Sequence, residues 1–132
     1  MLALSATFPS KESARTDEHC KSEWTKRGQL DQQMYNFCVK QQNDGYAEAL
    51  ILIEKYKDQP WIQEAINFSI AKWSKAGIRQ DSMVKFSIKK IVDGWEDMVY
   101  ESKQPSYNKA KHQSCQSKWA VQLDMVAHCY KQ

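Results

Sequence analysis

The residues of this 132-residue chain whose type and spacing carry chemistry are its four cysteines. Cys20 opens the pattern Cys20-x3-Trp24-x3-Gly28-x5-Met34-x2-Phe37-Cys38-Val39-Lys40. Forty-nine residues later the pattern returns with serines, as Ser69-x3-Trp73-x3-Gly77-x5-Met83-x2-Phe86-Ser87-Ile88-Lys89. A shortened third copy, Cys115-x3-Trp119-x5-Met125-x3-Cys129-Tyr130-Lys131, closes the chain. Copies one and three hold both cysteines and copy two holds neither, the outcome expected if the two positions of one copy form a single chemical unit. That unit reads as a disulfide, Cys20 with Cys38 and Cys115 with Cys129.

Distance supports a turn inside each motif. On an unbroken helix, Cys20 and Cys38 would stand about 27 Å apart, whereas a bridge needs Cα atoms within roughly 7 Å. A turn at Gly28–Asp31 brings the two cysteines to one height of a helical hairpin, and the shorter third copy keeps the same balance about its own turn. Each bridge closes a loop of about 15–20 residues, worth near 3 kcal/mol on chain-entropy grounds. The rival pairing, Cys20 with Cys129 and Cys38 with Cys115, suits antiparallel terminal helices but does not account for the joint loss in copy two.

A metal alternative uses His112, Cys115, His128 and Cys129, four nitrogen and sulfur donors of the kind zinc takes. Its difficulty is that His128 and Cys129, as neighbours on a helix, point about 100° apart. The reading is therefore no metal and no cofactor. A reactive thiol is disfavoured by the lack of a C-x-x-C pair. No Gly-rich phosphate loop, nucleophile elbow or H-E-x-x-H occurs, so no catalytic residue is assigned and the chain reads as non-enzymatic.

The elements that must position these residues are helices. The spacing predicts them over 10–27, 31–57, 60–76, 81–103, 105–121 and 124–131, which is an all-α fold of three tandem antiparallel helix pairs with a repeat of about 46–49 residues, either a stapled bundle or a short solenoid. Gly28 and Gly77 read as helix C′ residues, Asp31 and Asp81 as N-caps, and Pro60 and Pro105 as first helical residues. Asp44-Gly45-Tyr46 recurs as Asp93-Gly94-Trp95 at the same offset, placing Gly45 and Gly94 on packed faces against a close neighbour. Recurrence in register assigns Trp24, Met34, Phe37, Trp73, Met83, Phe86, Trp119 and Met125 to a repeat core, with His128 half-buried in the aromatic place of the third copy. The run Leu50-Ile51-Leu52-Ile53 lacks a counterpart in copy two and reads as a helix buried on several sides or an apolar contact surface.

Residues 1–9 read as a flexible segment or signal remnant and 10–132 as one all-α repeat domain, with motifs at 20–40, 69–89 and 115–131. The net charge of +3 hides an asymmetry, with 8 Lys/Arg against 10 Asp/Glu in residues 1–66 and 11 against 6 in 67–132. Lys85, Lys89 and Lys90 stand among Asp93, Glu96 and Asp97, the mark of a solvated helix face. No apolar run approaches the roughly 18 residues of a membrane span.

The pattern C-x3-W…M-x3-C followed by Lys-Gln resembles a motif of small uncharacterised bacterial and prophage-borne proteins. The resemblance covers 20–41 and 115–132, and 69–90 with Ser for Cys; it departs by four extra residues between Trp and Met in the first two copies. It brings no activity. Because such chains usually hold the motif once, it implies pairing within a motif. The expected role is an exported, periplasmic or secreted protein that binds another protein, of inhibitor, immunity or envelope-accessory type, the cysteines being the ground for export. The alternative is a cytosolic, phage-encoded nucleic-acid or regulatory binder that uses the basic second half.

Overall fold

Helix-forming residues dominate a chain with only four glycines and three prolines, and the fold they give is all-α. The computed structural model describes residues 6–132. Among them are six α-helices: α1 Thr16–Trp24, α2 Gln32–Lys55, α3 Ile62–Lys72, α4 Asp81–Ser102, α5 Lys109–Trp119 and α6 Leu123–Lys131. The chain divides into two compact units, 1–86 and 87–132, with the division inside α4.

The expected helix over 10–27 is broken twice. Lys11–Ala14 form a separate 3₁₀ turn, because Arg15 takes a left-handed conformation, φ 56°, before α1 begins. At its other end α1 stops at Trp24, and residues 25–30 fold into a two-residue β-hairpin, β1 Thr25–Lys26 paired with β2 Gln29–Leu30. The same hairpin follows α3, as β3 Ser74–Lys75 with β4 Ile78–Arg79. Gly28 and Gly77 are thus not C′ residues. They take the second place of tight turns whose central pairs, Arg27-Gly28 and Ala76-Gly77, all have φ between 54° and 78°, the positive-φ pair of a type I′ hairpin.

One backbone hydrogen bond closes all three helix–turn–helix segments. Asp31 N donates to Trp24 O at 2.9 Å, Gln80 N to Trp73 O at 3.0 Å, and Gln122 N to Trp119 O at 2.9 Å. In the third the hairpin is replaced by a tight turn through Ala120, φ 49° and ψ −120°. The four extra residues of the long motifs are therefore the difference between the six of each β-hairpin, 25–30 and 74–79, and the two of the tight turn, Ala120-Val121. Cys20–Cys38 and Cys115–Cys129 accordingly have nearly equal Cα separations, 5.7 and 5.8 Å, across loops of 18 and 14 residues.

Asp31 is the N-cap of α2, its side chain accepting from Met34 N. Asp81 is not the cap of α4 but its first residue; Gln80 stands at the equivalent place, with Val84 N donating to its carbonyl as Tyr35 N does to Asp31. Pro60 and Pro105 precede their helices instead of opening them: α3 starts after Trp61, and α5 starts after Asn108, whose side chain accepts from Lys111 N at 3.0 Å.

In residues 6–86 the interior is Ala14, Cys20, Cys38, Ala49, Ile53, Ile62, Ala65, Ile66 and Val84, with Gln42, Arg79 and Asp81 buried beside them. Gln42 Oε1 accepts from Ser82 N and its Nε2 donates to Ser82 Oγ, both at 3.0 Å, so a side chain of α2 serves the open N–H groups of α4. In residues 87–132 the interior is Ile88, Ile91, Val92, Met98, Cys115, Leu123, Val126, Ala127 and Tyr130.

Part of the 1–9 segment, residues 1–5, lies outside the described residues. Beyond it, Thr7 N donates to Gln63 Oε1 at 2.7 Å and Phe8 stacks on Tyr46 with ring centroids 5.6 Å apart.

Candidate functional site

All four cysteines are bridged, Cys20 to Cys38 and Cys115 to Cys129, and the crossed pairing does not occur. This removes both thiolates from the alternative zinc set. Its histidines also go elsewhere: Tyr107 Oη lies 2.6 Å from His112 Nδ1, and His128 is exposed with Nε2 2.8 Å from Gln132 Nε2. His112 joins Tyr107 and Tyr130 in an aromatic cluster at 5.8 and 6.1 Å, and burial there pushes its imidazole below the ordinary histidine value.

The eight residues assigned to a repeat core divide by type. Trp24, Trp73, Trp119, Met34, Met83 and Met125 are half-buried, whereas Phe37 and Phe86 point outward, 58% and 52% exposed. The reason is angular. The buried stripe of α2 runs Cys38, Gln42, Gly45, Ala49, Ile53, fixed by the bridge at one end, and Phe37 lies one residue off it, about 100° around. Phe86 has the same relation to buried Ser87, and exposed His128 follows the same rule beside Cys129.

Two further outward apolar side chains continue this pattern. Ile51 is 69% exposed and Tyr100 64%, each 14 residues beyond its phenylalanine, which on a helix is about 40° short of four turns. Between them stand i,i+4 ion pairs at equivalent places, Lys40 with Asp44 at 2.6 Å and Lys89 with Asp93 at 2.9 Å. Thus α2 and α4 carry the same exposed stripe: Phe, Lys, Asp, then a large apolar residue. Leu50, 41% exposed, lies beside Ile51, so Leu50–Ile53 is not buried on several sides; only Ile53 turns fully inward.

A buried charge centre was not foreseen from the sequence. Arg79 and Asp81, 4% and 1% exposed at their side chains, meet through Nε–Oδ1 at 2.5 Å and Nη2–Oδ2 at 3.2 Å. Arg79 also donates to Ser13 Oγ and Ser10 O, and its guanidinium lies 4.5 Å from the Phe8 ring centroid. Through these contacts the pair ties the N-terminal segment to the start of α4. An Arg-x-Asp spacing at a helix start was its one trace in the sequence.

On the outer side of α1, Tyr35 Oη donates to Asp17, and this bond together with Lys21 holds the Asp17 carboxyl below the usual carboxylate range. His19 Nε2 lies 3.1 Å from Glu23 Oε2. No helix among the described residues is long and apolar enough to cross a membrane.

Comparison of the chain with protein-family models, curated proteins and solved structures finds no match.

Proposed function

We propose that this chain is an exported, non-enzymatic protein-binding module that engages its partner through the outward stripe of its long helices. The observation that carries this reading is the recurrence, on α2 and α4, of large apolar residues more than half exposed at equivalent places: Phe37 with Ile51, and Phe86 with Tyr100. Burying these side chains is favourable, and a chain that repeats their exposure keeps two surfaces of the kind that docks against protein. The intervening Lys–Asp pairs leave each stripe without net charge, which suits a protein surface better than a phosphate backbone. Two disulfides are compatible with an oxidising compartment. Inhibitor, immunity and envelope-accessory roles all fit such a module.

The test has two arms. Thiols are trapped by alkylation in intact source cells; bridged cysteines support export, and four alkylated cysteines overturn it. A photo-crosslinking residue is then placed at Phe37, at Ile51 or, as a control, at exposed Lys103. A single protein adduct from the two stripe positions, absent from the control, supports the reading. Adducts to nucleic acid overturn it in favour of a regulatory binder, as does equal labelling from all three.

A further inference from the structure

Beside the first disulfide stands a set of metal-ligating groups that the second lacks. His19 Nε2, a Glu23 carboxylate oxygen and Cys38 Sγ all lie within 4.8 Å of one another. The Cys38 sulfur of this set is bonded to that of Cys20. In the bridged chain neither sulfur is a thiolate, so what remains is the His19–Glu23 pair.

We propose that reduction of Cys20–Cys38 converts this end of the α1–α2 hairpin into a zinc site, with the Cys38 thiolate, His19 Nε2 and Glu23 as its protein ligands and water completing the shell. The step balances simply. A dithiol reductant gives two electrons and two protons to the disulfide and itself becomes a disulfide; zinc then replaces the thiol proton of Cys38, which passes to solvent, while Cys20 stays a thiol.

Three observations carry the proposal. The first is the donor set: a sulfur, an imidazole and a carboxylate are groups zinc takes in tetrahedral sites, with water able to fill a fourth place. Bond lengths of about 2.0–2.3 Å put ligand atoms roughly 3.3–3.8 Å apart; His19 and Glu23 already stand at 3.1 Å, and no separation in the set has to close by more than about 1–1.5 Å, within reach of side-chain rotation. The second is burial. Cys38 is 4% exposed and His19 17% at its side chain, whereas Glu23 is 51% exposed, so two donors are set in the packed hairpin and one reaches in from its rim. The third is contrast. Around Cys115–Cys129, at nearly the same Cα separation, the places of His19 and Glu23 are taken by Ser114 and Lys118, a weak ligand and a cation. The two bridges are alike as crosslinks and unlike as ligand fields.

The chain would then have two ways of holding its N-terminal hairpin closed: a covalent bond where oxidants prevail and a metal where reductants do. This inference does not depend on the partner-binding reading above.

The experiment uses the full-length chain, reduced with a phosphine that is then removed under anaerobic conditions. Zinc binding is measured by competition with a chromophoric chelator, and cobalt is used as a spectroscopic stand-in whose thiolate charge-transfer and tetrahedral d–d bands report the ligands. One metal per chain is expected for the reduced protein and for the C115S/C129S variant, and none for oxidised protein or for C20S/C38S. His19→Phe and Glu23→Gln are each expected to weaken zinc binding at least tenfold while the cysteines remain. Because Glu23 is mostly exposed, Glu23→Gln reports on ligation even if His19→Phe unfolds the hairpin. Equal binding by the two double-serine variants, an affinity indifferent to both His19 and Glu23, or no binding by the reduced chain would overturn the proposal.

Discussion

A Cβ built on Gly45 would lie 2.6 Å from the Cα of Ser82, so the backbone of α2 meets the first turn of α4 with no room for a side chain. Gly94 of α4 stands in the same relation to the first turn of α6, where its Cβ would fall 2.3 Å from Asp124 N. Thus α2 receives the start of α4, and α4 the start of α6, at glycines 49 residues apart in the chain.

Gly45→Ala and Gly94→Ala are each expected to destabilise the fold by about 1–3 kcal/mol, because backbone atoms must shift. Helix propensity alone would give a gain of about 1 kcal/mol. Urea unfolding monitored by tryptophan fluorescence distinguishes the two signs.

The Arg79–Asp81 pair is desolvated on both sides. Arg79→Leu or Asp81→Leu leaves one buried charge without its partner and is expected to cost about 3–5 kcal/mol, while the double replacement costs less than the two singles summed. A double-mutant cycle in denaturant measures this, and strictly additive losses would refute the coupling.

Ala76 and Ala120 have positive φ, 54° and 49°, where a Cβ is strained. Ala76→Gly and Ala120→Gly are expected to raise stability by about 0.5–1 kcal/mol each. Gly28→Ala should lower it by about 1–2 kcal/mol through conformation alone, since its Cβ would meet nothing within 4 Å. Thermal melts of the three variants check the set.

His112 titrates below its ordinary value in the folded chain because burial opposes its charge. As pH falls through about 6.5 the unfolded chain takes up this proton first, so the contribution of neutral His112 is complete above that pH and is lost as pH drops toward the folded value. Stability between pH 7 and pH 5 should therefore fall less steeply in His112→Phe than in the parent. Imidazole resonances followed by NMR should give His112 a midpoint below the ordinary histidine value.

Opening either disulfide by paired Cys→Ser substitution should cost about 3 kcal/mol, slightly more for the 18-residue loop than for the 14-residue one. Guanidinium unfolding of the two variants compares them directly.

Local spacing in the sequence determined a large part of this architecture. The 3–4 period along α2 and α4 specified long helices with Gly45 and Gly94 on their packed faces. The joint presence or absence of cysteines specified the bridges, because loop closure and helical rise depend only on nearby residues. The hairpins at 25–30 and 74–79 were not legible, since Arg27-Gly28 and Ala76-Gly77 are weak turn signals beside Asn-Gly and the strands are two residues long.

What the tertiary structure alone decided is which side of each helix is covered. Recurrence told that Phe37 and Phe86 matter, and it could not tell inside from outside, because core and interface both preserve large apolar residues in register. Cys38 lies inward with a bridge and Ser87 lies inward without one, and in both helices the neighbouring phenylalanine is turned out. Gln42 and Ser82, and Arg79 and Ser13, lie far apart in sequence, and only their meeting in the folded chain turned ordinary polar residues into a helix cap and a buried charge centre. Burial and pairing depend on which elements arrive from elsewhere, and that information is held in no single stretch of the chain.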